Sequence, residues 1–203
     1  MTLPAAYSWS PVGQTVIAPF EANAGRRLNV IGGYFSHGPQ AGALLTETYM
    51  GLPKSRAKKT RGEALSLPEG VSREEVGPID GHRLVAFLWR LAGRPSVCAP
   101  DWKRERPVHV WLDNYSVHSS QPVKEALAEM QAADVHLHYL PTYSPEMSKI
   151  EPIWNDVKYH EMTNRSFTDI LALRASAQAA FERKAVKLLE AQQKTKNFIR
   201  VAT

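Results

Sequence analysis

The stretch from residue 107 to about residue 160 constrains this chain most, because it reads as strand, helix, strand, helix. In 107–112 (PVHVWL) the residues Val108, Val110 and Leu112 fall on one face of a strand. The spacing of Val123, Leu127 and Met130 predicts a helix over 121–132 with those side chains inward. A second strand over 135–140 is stopped by Pro141, and a new helix begins near Ser148. A helix lying between two such strands implies a βαβ unit with parallel strands, so the chain is expected to hold an α/β domain.

Other segments fit around this unit. A strong strand candidate covers 27–35 (RLNVIGGYF), where Gly32-Gly33 signals a bulge or a close backbone approach. A weaker one covers Thr15 to Ala18, after a turn at Pro11-Val12-Gly13. Leu84, Phe87, Leu88 and Leu91 predict a helix over 79–91, ended by Gly93 and Pro95. Residues 36–78 are the least regular. The helix from Ser148 is expected to break around 164–166, and a second, rich in Ala, Glu, Lys and Gln, runs from about Thr168 to Phe198. Its Ile170, Leu173, Phe181, Leu188 and Leu189 most simply pack on the domain, with dimerisation as the lesser alternative.

Composition enters at three points. The apolar fraction of 43% and charged fraction of 22% are those of an ordinary globular chain of 203 residues. Cys98 is the single cysteine, which excludes an intramolecular disulfide or a thiolate cluster and suits a reducing, intracellular setting. The first residues lack the basic start and apolar run of a secretory signal, and no stretch approaches the roughly 18 apolar residues that span a bilayer. The net charge of +5 suits a polyanionic partner without requiring one. Its densest basic run, with Lys54, Arg56, Lys58, Lys59 and Arg61, reads either as a solvated loop or as a loop touching DNA phosphates.

Two acids carry the chemistry. Asp113 stands directly after the 107–112 strand, at the end where parallel α/β sheets place metals and ligands. Asp113-Asn114 is equally ordinary turn chemistry. Glu151 follows Ser148 at the S-x-x-E spacing of a capping box, with Ser148 as N-cap, Glu151 as N3 and Pro152 in the first turn. That reading and a helix entrance facing the strand ends are compatible. Two carboxylates from separate elements suit Mg²⁺ (or Mn²⁺), which takes oxygen ligands and shares substrate phosphates. Paired cations about 3.5–4 Å apart can activate an attacking oxygen and stabilise a leaving one, and such a pair generally needs three or more carboxylates.

His136 and His138 alternate along a strand and so share a face, but no third ligand stands at zinc spacing; a structural or solvent-facing role is the simpler reading. No G-x-S-x-G, Walker A or G-x-G-x-x-G pattern occurs, leaving serine hydrolase, P-loop and dinucleotide readings unsupported.

The segments WLDNYSVHS (111–119) and LPTYSPEMSKIEPIWNDVK (140–158) resemble the second half of the DDE catalytic domain of mariner-superfamily transposases, most closely the bacterial insertion-sequence branch. The shared pattern is L-D-N-x-x-x-H at a strand end, then L-P-x-Y-S-P-x-x-x-x-I-E-x-x-W entering a helix. YSWSPVGQ (7–14) and GRRLNV (25–30) resemble earlier strands of that domain, so the likeness covers roughly 7–160.

The resemblance implies an RNase-H-like α/β fold, a mixed sheet flanked by helices, over 1–162, followed by a helical extension over 163–203. It also implies a divalent metal and cleavage and strand transfer of double-stranded DNA at insertion-sequence ends, in a cytoplasmic, nucleoid-associated protein. Carried over by position, Asp113 is the second acid of the triad and Glu151 the third, with Asn114 and His118 bordering the site; His118 is equally readable as a satisfied surface histidine.

One departure stands out. The first acid belongs on a strand just before the Trp9-Ser10-Pro11 stretch, and no Asp occurs before Asp80. The end-reading helix-turn-helix is also missing. The expectation is a truncated or split frame, acting as a homodimer or with an upstream transposase fragment. The alternative is an inactive remnant serving as a DNA- or protein-binding module, and an unrelated RNase-H-like nuclease acting on RNA is a poorer third.

Overall fold

The computed structural model describes residues 12–14, 27–51, 67–99, 101–142, 144–162, 167 and 169–201. In chain order the elements are β1 (Leu28–Tyr34), β2 (Leu44–Met50), α1 (Gly81–Leu91), β3 (Val108–Leu112), α2 (Gln121–Ala132), β4 (Val135–Tyr139), α3 (Glu151–Asp156) and α4 (Ile170–Val201). The architecture is mixed α/β. The expected strand at Thr15 to Ala18 and the basic run at Lys54 to Arg61 lie outside the described residues.

β3 and β4 pair in parallel, with Val108 opposite Val135 and Leu112 opposite Tyr139, and α2 makes the crossover. This is the βαβ unit that the apolar spacing predicts. α2 passes into β4 through Ala133 and Asp134, the latter held at a φ of 60° that a short polar side chain tolerates. β1 and β2 pair antiparallel, with Leu28 opposite Met50. Among the described residues the two pairs are separate two-stranded sheets rather than one mixed sheet, because β1 and β3 exchange no ladder hydrogen bonds.

β2 lies within the segment that reads as irregular. Its sequence, LLTETYM, hides the strand because neither face is uniformly apolar. Tertiary partners supply what the pattern lacks. Thr48 is buried and its hydroxyl accepts from Arg174 and Gln178 of α4, while Glu47 pairs with Arg90 of α1 at 2.7 Å. The hairpin closes through Phe35 and Ala43, with Gly38 and Gly42 both at positive φ in the turn.

Two apolar clusters hold the layers. One joins Leu28 and Met50 of the hairpin to Ile153 and Val157, and to Leu173, Ala177, Ala180 and Phe181 of α4. The other joins Leu84 and Leu88 of α1 to Val123 and Met130 of α2 and Val135 of β4. Ile31 of β1 and Val108 and Val110 of β3 pack onto this second cluster, so α1 and α2 bridge the two sheets. Of the α4 residues expected to pack, Leu189 is exposed, whereas Ile170 and Leu188 lie against the first cluster.

α1 begins at Gly81 because the Asp80 carboxylate accepts from the Arg83 amide at 2.9 Å, an N-cap that fixes the first turn. Gly32 and Gly33 mark a close approach and not a bulge: the register runs unbroken through both. A β-carbon at Gly32 would strike the Trp154 ring, and one at Gly33 would strike Leu91.

Candidate active site

β3 ends where the apolar alternation ends, and Asp113 is the next residue. Its Oδ1 accepts from the Tyr115 amide at 3.0 Å, which is an Asx turn. The same oxygen lies 2.7 Å from His118 Nδ1. That nitrogen also faces the Asp113 carbonyl at 2.9 Å. Both neighbours are oxygen acceptors, so Nδ1 carries the proton and donates to them. The turn reading and the site reading therefore hold together. One carboxylate oxygen anchors the corner and the other takes no hydrogen bond among the described residues, in a side chain 55% exposed.

Asn114 fastens this corner to the neighbouring strand. Its Nδ2 donates to the Leu140 carbonyl at 2.6 Å, and the Leu140 amide donates to the Leu112 carbonyl at 2.8 Å. The Tyr139 hydroxyl donates to the His118 carbonyl at 2.9 Å. Asp113, Asn114 and His118 are thus brought together at the carboxyl ends of β3 and β4. His118 is a partner of Asp113, so the satisfied-histidine reading and the site-bordering one meet in the same contacts.

From Leu140 the chain passes a 3₁₀ turn (Pro145–Met147) and enters α3 at Glu151. The expected capping box does not form. Ile150 is the N-cap, in a right-handed helical conformation without a side-chain cap, and Glu151 is the first helical residue instead of the third. Residues 149–150 already turn, so Ser148 stands two residues ahead of the N-cap, and only its carbonyl meets the Glu151 amide, at 3.2 Å. Pro152 does sit in the first turn, as its missing N–H allows.

The Glu151 carboxylate is half-buried and makes no hydrogen bond or ion pair among the described residues. Its helix is locked nearby. Trp154 packs edge-on against Phe181 at 5.4 Å and lies over Gly32. α3 then widens into a π-helical turn (Val157–Glu161), where the buried Glu161 meets Lys187 at 2.7 Å. Lys184 bonds Asp156 at 2.7 Å and holds that carboxyl below the usual range.

Asp113 and Glu151 each keep carboxylate oxygens without a hydrogen bond among the described residues, the kind of donor that Mg²⁺ or Mn²⁺ prefers. Among the described residues, however, no three His, Cys, Asp or Glu gather closely enough to hold a metal. A cleft of about 520 Å³ lies elsewhere, lined by Glu47, Tyr49, Arg83, Arg90, Arg174 and Gln178. Its charges are mutually paired in part, through Glu47 with Arg90 and Arg174 with Glu75.

A family model described as DDE superfamily endonuclease matches residues 78–174, a span that takes in Asp113, Asn114, His118 and Glu151. This segment is a DDE superfamily, transposase-like domain. No curated protein matches the chain significantly. The DDE domain runs from the turn before α1 into the start of α4, and so contains the whole βαβ unit and the bend that presents Glu151. No helix among the described residues is long and apolar enough to cross a membrane.

One feature of the DDE domain escaped the sequence reading. His136 and His138 share a face, as their alternation requires, but the same face also carries His109 and Trp111 from β3. Their rings form a ladder: Trp111 on His138 at 4.7 Å, His138 beside His109 at 5.1 Å, and His109 on His136 at 5.1 Å. His109 Nδ1 and His138 Nε2 also share a hydrogen bond of 2.9 Å. The signal was present in the paired patterns VHVW and VHLH, which register only when the two strands are known to be neighbours.

Proposed function

We propose that this chain is the catalytic part of an RNase-H-like DDE transposase of the insertion-sequence type, which cuts and joins double-stranded DNA with Mg²⁺ or Mn²⁺. What carries the reading is the acid at the carboxyl end of β3. It is oriented by His118 and Tyr115, with one oxygen free, within a matched DDE superfamily endonuclease segment. Asp113 and Glu151 would hold the metal, together with an aspartate supplied by a preceding strand. When bound, such cations polarise the phosphodiester and ready a water or a 3′-hydroxyl for in-line attack.

The chain's own groups do the positioning. His118 fixes the rotamer of Asp113 by donating to Oδ1, which leaves the second oxygen to the cation. Asn114 keeps the β3 exit against Leu140, so the corner cannot swing away from the segment leading to Glu151. The pairing of this chain with an upstream fragment or with a second copy, the basic run Lys54 to Arg61 as a phosphate-contacting loop, and nucleoid association belong to the same proposal.

The test is a nicking assay on supercoiled plasmid DNA with Mg²⁺ or Mn²⁺ titrated in, comparing this chain with one extended by a strand bearing an aspartate. Metal-dependent nicking by the extended protein, abolished in Asp113→Asn and Glu151→Gln, supports the assignment. Nicking that survives either change refutes it.

A further inference from the structure

The ring ladder on the outer face of β3 and β4 has a direction. His136 and His109 sit opposite each other in the register, and Trp111 and His138 one step further toward the strand ends. The rings lie within about 20–31° of parallel. Trp111 stacks on His138 and His109 on His136, while His109 and His138 meet edge to edge through their shared hydrogen bond. Trp111 is the terminal ring at the carboxyl end. One face of its indole rests on His138, and the side chain belongs to a residue still 62% exposed. Asp113 is two residues on, just past the end of β3. Tyr115, a further two residues on, is 64% exposed.

The indole is left open beside the acid corner, unlike Trp154 and Phe181, which pack against each other in the first cluster. A stack open at one end is extended most readily by another flat π-system, and stacking tolerates any base. The chain's net charge of +5 favours a polyanionic strand over a neutral peptide. Inside a duplex both faces of a base are already stacked, so an unpaired base is the one free to extend the ladder.

We infer that Trp111, backed by His138, His109 and His136, is a stacking platform for an unpaired base of the DNA strand presented at Asp113. This rests on the proposed DNA-cutting role for its choice of partner, but not for its geometry. The three imidazoles hold the indole upright, and the open face of the indole takes the base. The DNA end would thus be read in a frayed state at the strand being cut, while the duplex is held by its phosphates.

Binding of a fluorescein-labelled oligothymidine of about 16 nucleotides and of a duplex of equal length, at fixed salt, tests this on the whole chain by anisotropy. Trp111→Ala should weaken oligothymidine binding roughly tenfold and change duplex binding by less than about twofold. Trp111→Phe, which keeps a ring and the fold, should recover part of the loss. Oligothymidine should quench tryptophan emission in the native chain and quench it much less in Trp111→Phe.

Unchanged oligothymidine binding in Trp111→Ala overturns the inference. So does a native chain that does not bind oligothymidine, or a Trp111→Ala chain whose only change is its oligomeric state, which would make this face a contact between copies. The two readings fail separately. Trp111-dependent binding without Asp113-dependent nicking sinks the cutting role alone, and the reverse pattern sinks the platform alone.

Discussion

His118 Nδ1 donates to Asp113 Oδ1 across 2.7 Å, five residues along the chain, and so turns a strand exit into a fixed carboxylate. The pairing needs the 3₁₀ turn over Ser116–Ser119, which folds the chain back after Asp113. It leaves the carboxylate with one committed and one available oxygen. Removing the imidazole should free the Asp113 rotamer without touching any apolar cluster. His118→Ala in the extended, nicking-competent protein should lower metal-dependent nicking by roughly 10–100-fold, the range found for groups that orient metal ligands. A change confined to stability, seen as a lower melting temperature with unaltered metal response, would contradict the positioning role.

Asp113→Asn retains the shape of the corner and its hydrogen bond with the Tyr115 amide, but lowers its charge. Loss of Mg²⁺-dependent nicking with thermal stability preserved is the expected result, measured by plasmid relaxation alongside a melting curve. Glu151→Gln should behave alike, because the Glu151 side chain has no structural partner among the described residues to lose.

Gly32 is a packing requirement. A methyl group there meets the Trp154 ring, so Gly32→Ala should destabilise the chain by roughly 1–3 kcal/mol, the usual cost of overpacking. Chemical denaturation measures it. Combining it with Trp154→Phe should cost less than the two changes added, since neighbours in contact couple by about 0.5–3 kcal/mol. Strict additivity would show that the two do not meet.

Tyr49 titrates late. Burial pushes its phenol up from 10.0 to about 12, helped by donation of its hydroxyl to Glu47 at 2.6 Å. A pKa raised in the folded state means that the folded chain holds its proton more tightly than the unfolded chain. That stabilisation is complete below pH 10 and is lost as pH rises from 10 to about 12. Ultraviolet difference titration of the native chain against Tyr49→Phe should isolate one phenol with a midpoint near 12; a midpoint near 10 would remove the buried bond with Glu47.

Legibility in the sequence followed the kind of signal each element sends. α2 was readable to the residue because Val123, Leu127 and Met130 repeat at helical spacing and Asp134 ends the segment. β3 and β4 were readable because compact alternating runs bracket that helix. β2 was not, since Glu47 and Thr48 take their places through Arg90, Arg174 and Gln178, partners all more than 40 residues distant and supplied by two helices. The Ser148–Glu151 spacing matched a cap that never forms, because the chain starts turning at Lys149 and the helix begins later.

By itself the sequence determined the βαβ unit, the acid at its first strand end and the acid at the next helix, because each depends on local periodicity and on residues adjacent in the chain. Only the tertiary structure decided that His118 clamps Asp113, that Trp154 locks α3 over Gly32, and that four rings from two strands align beside the acid corner. Those contacts follow from which strands become neighbours and which helices cover them. That is settled by burial of apolar surface across the whole chain, and no local pattern of residues encodes it.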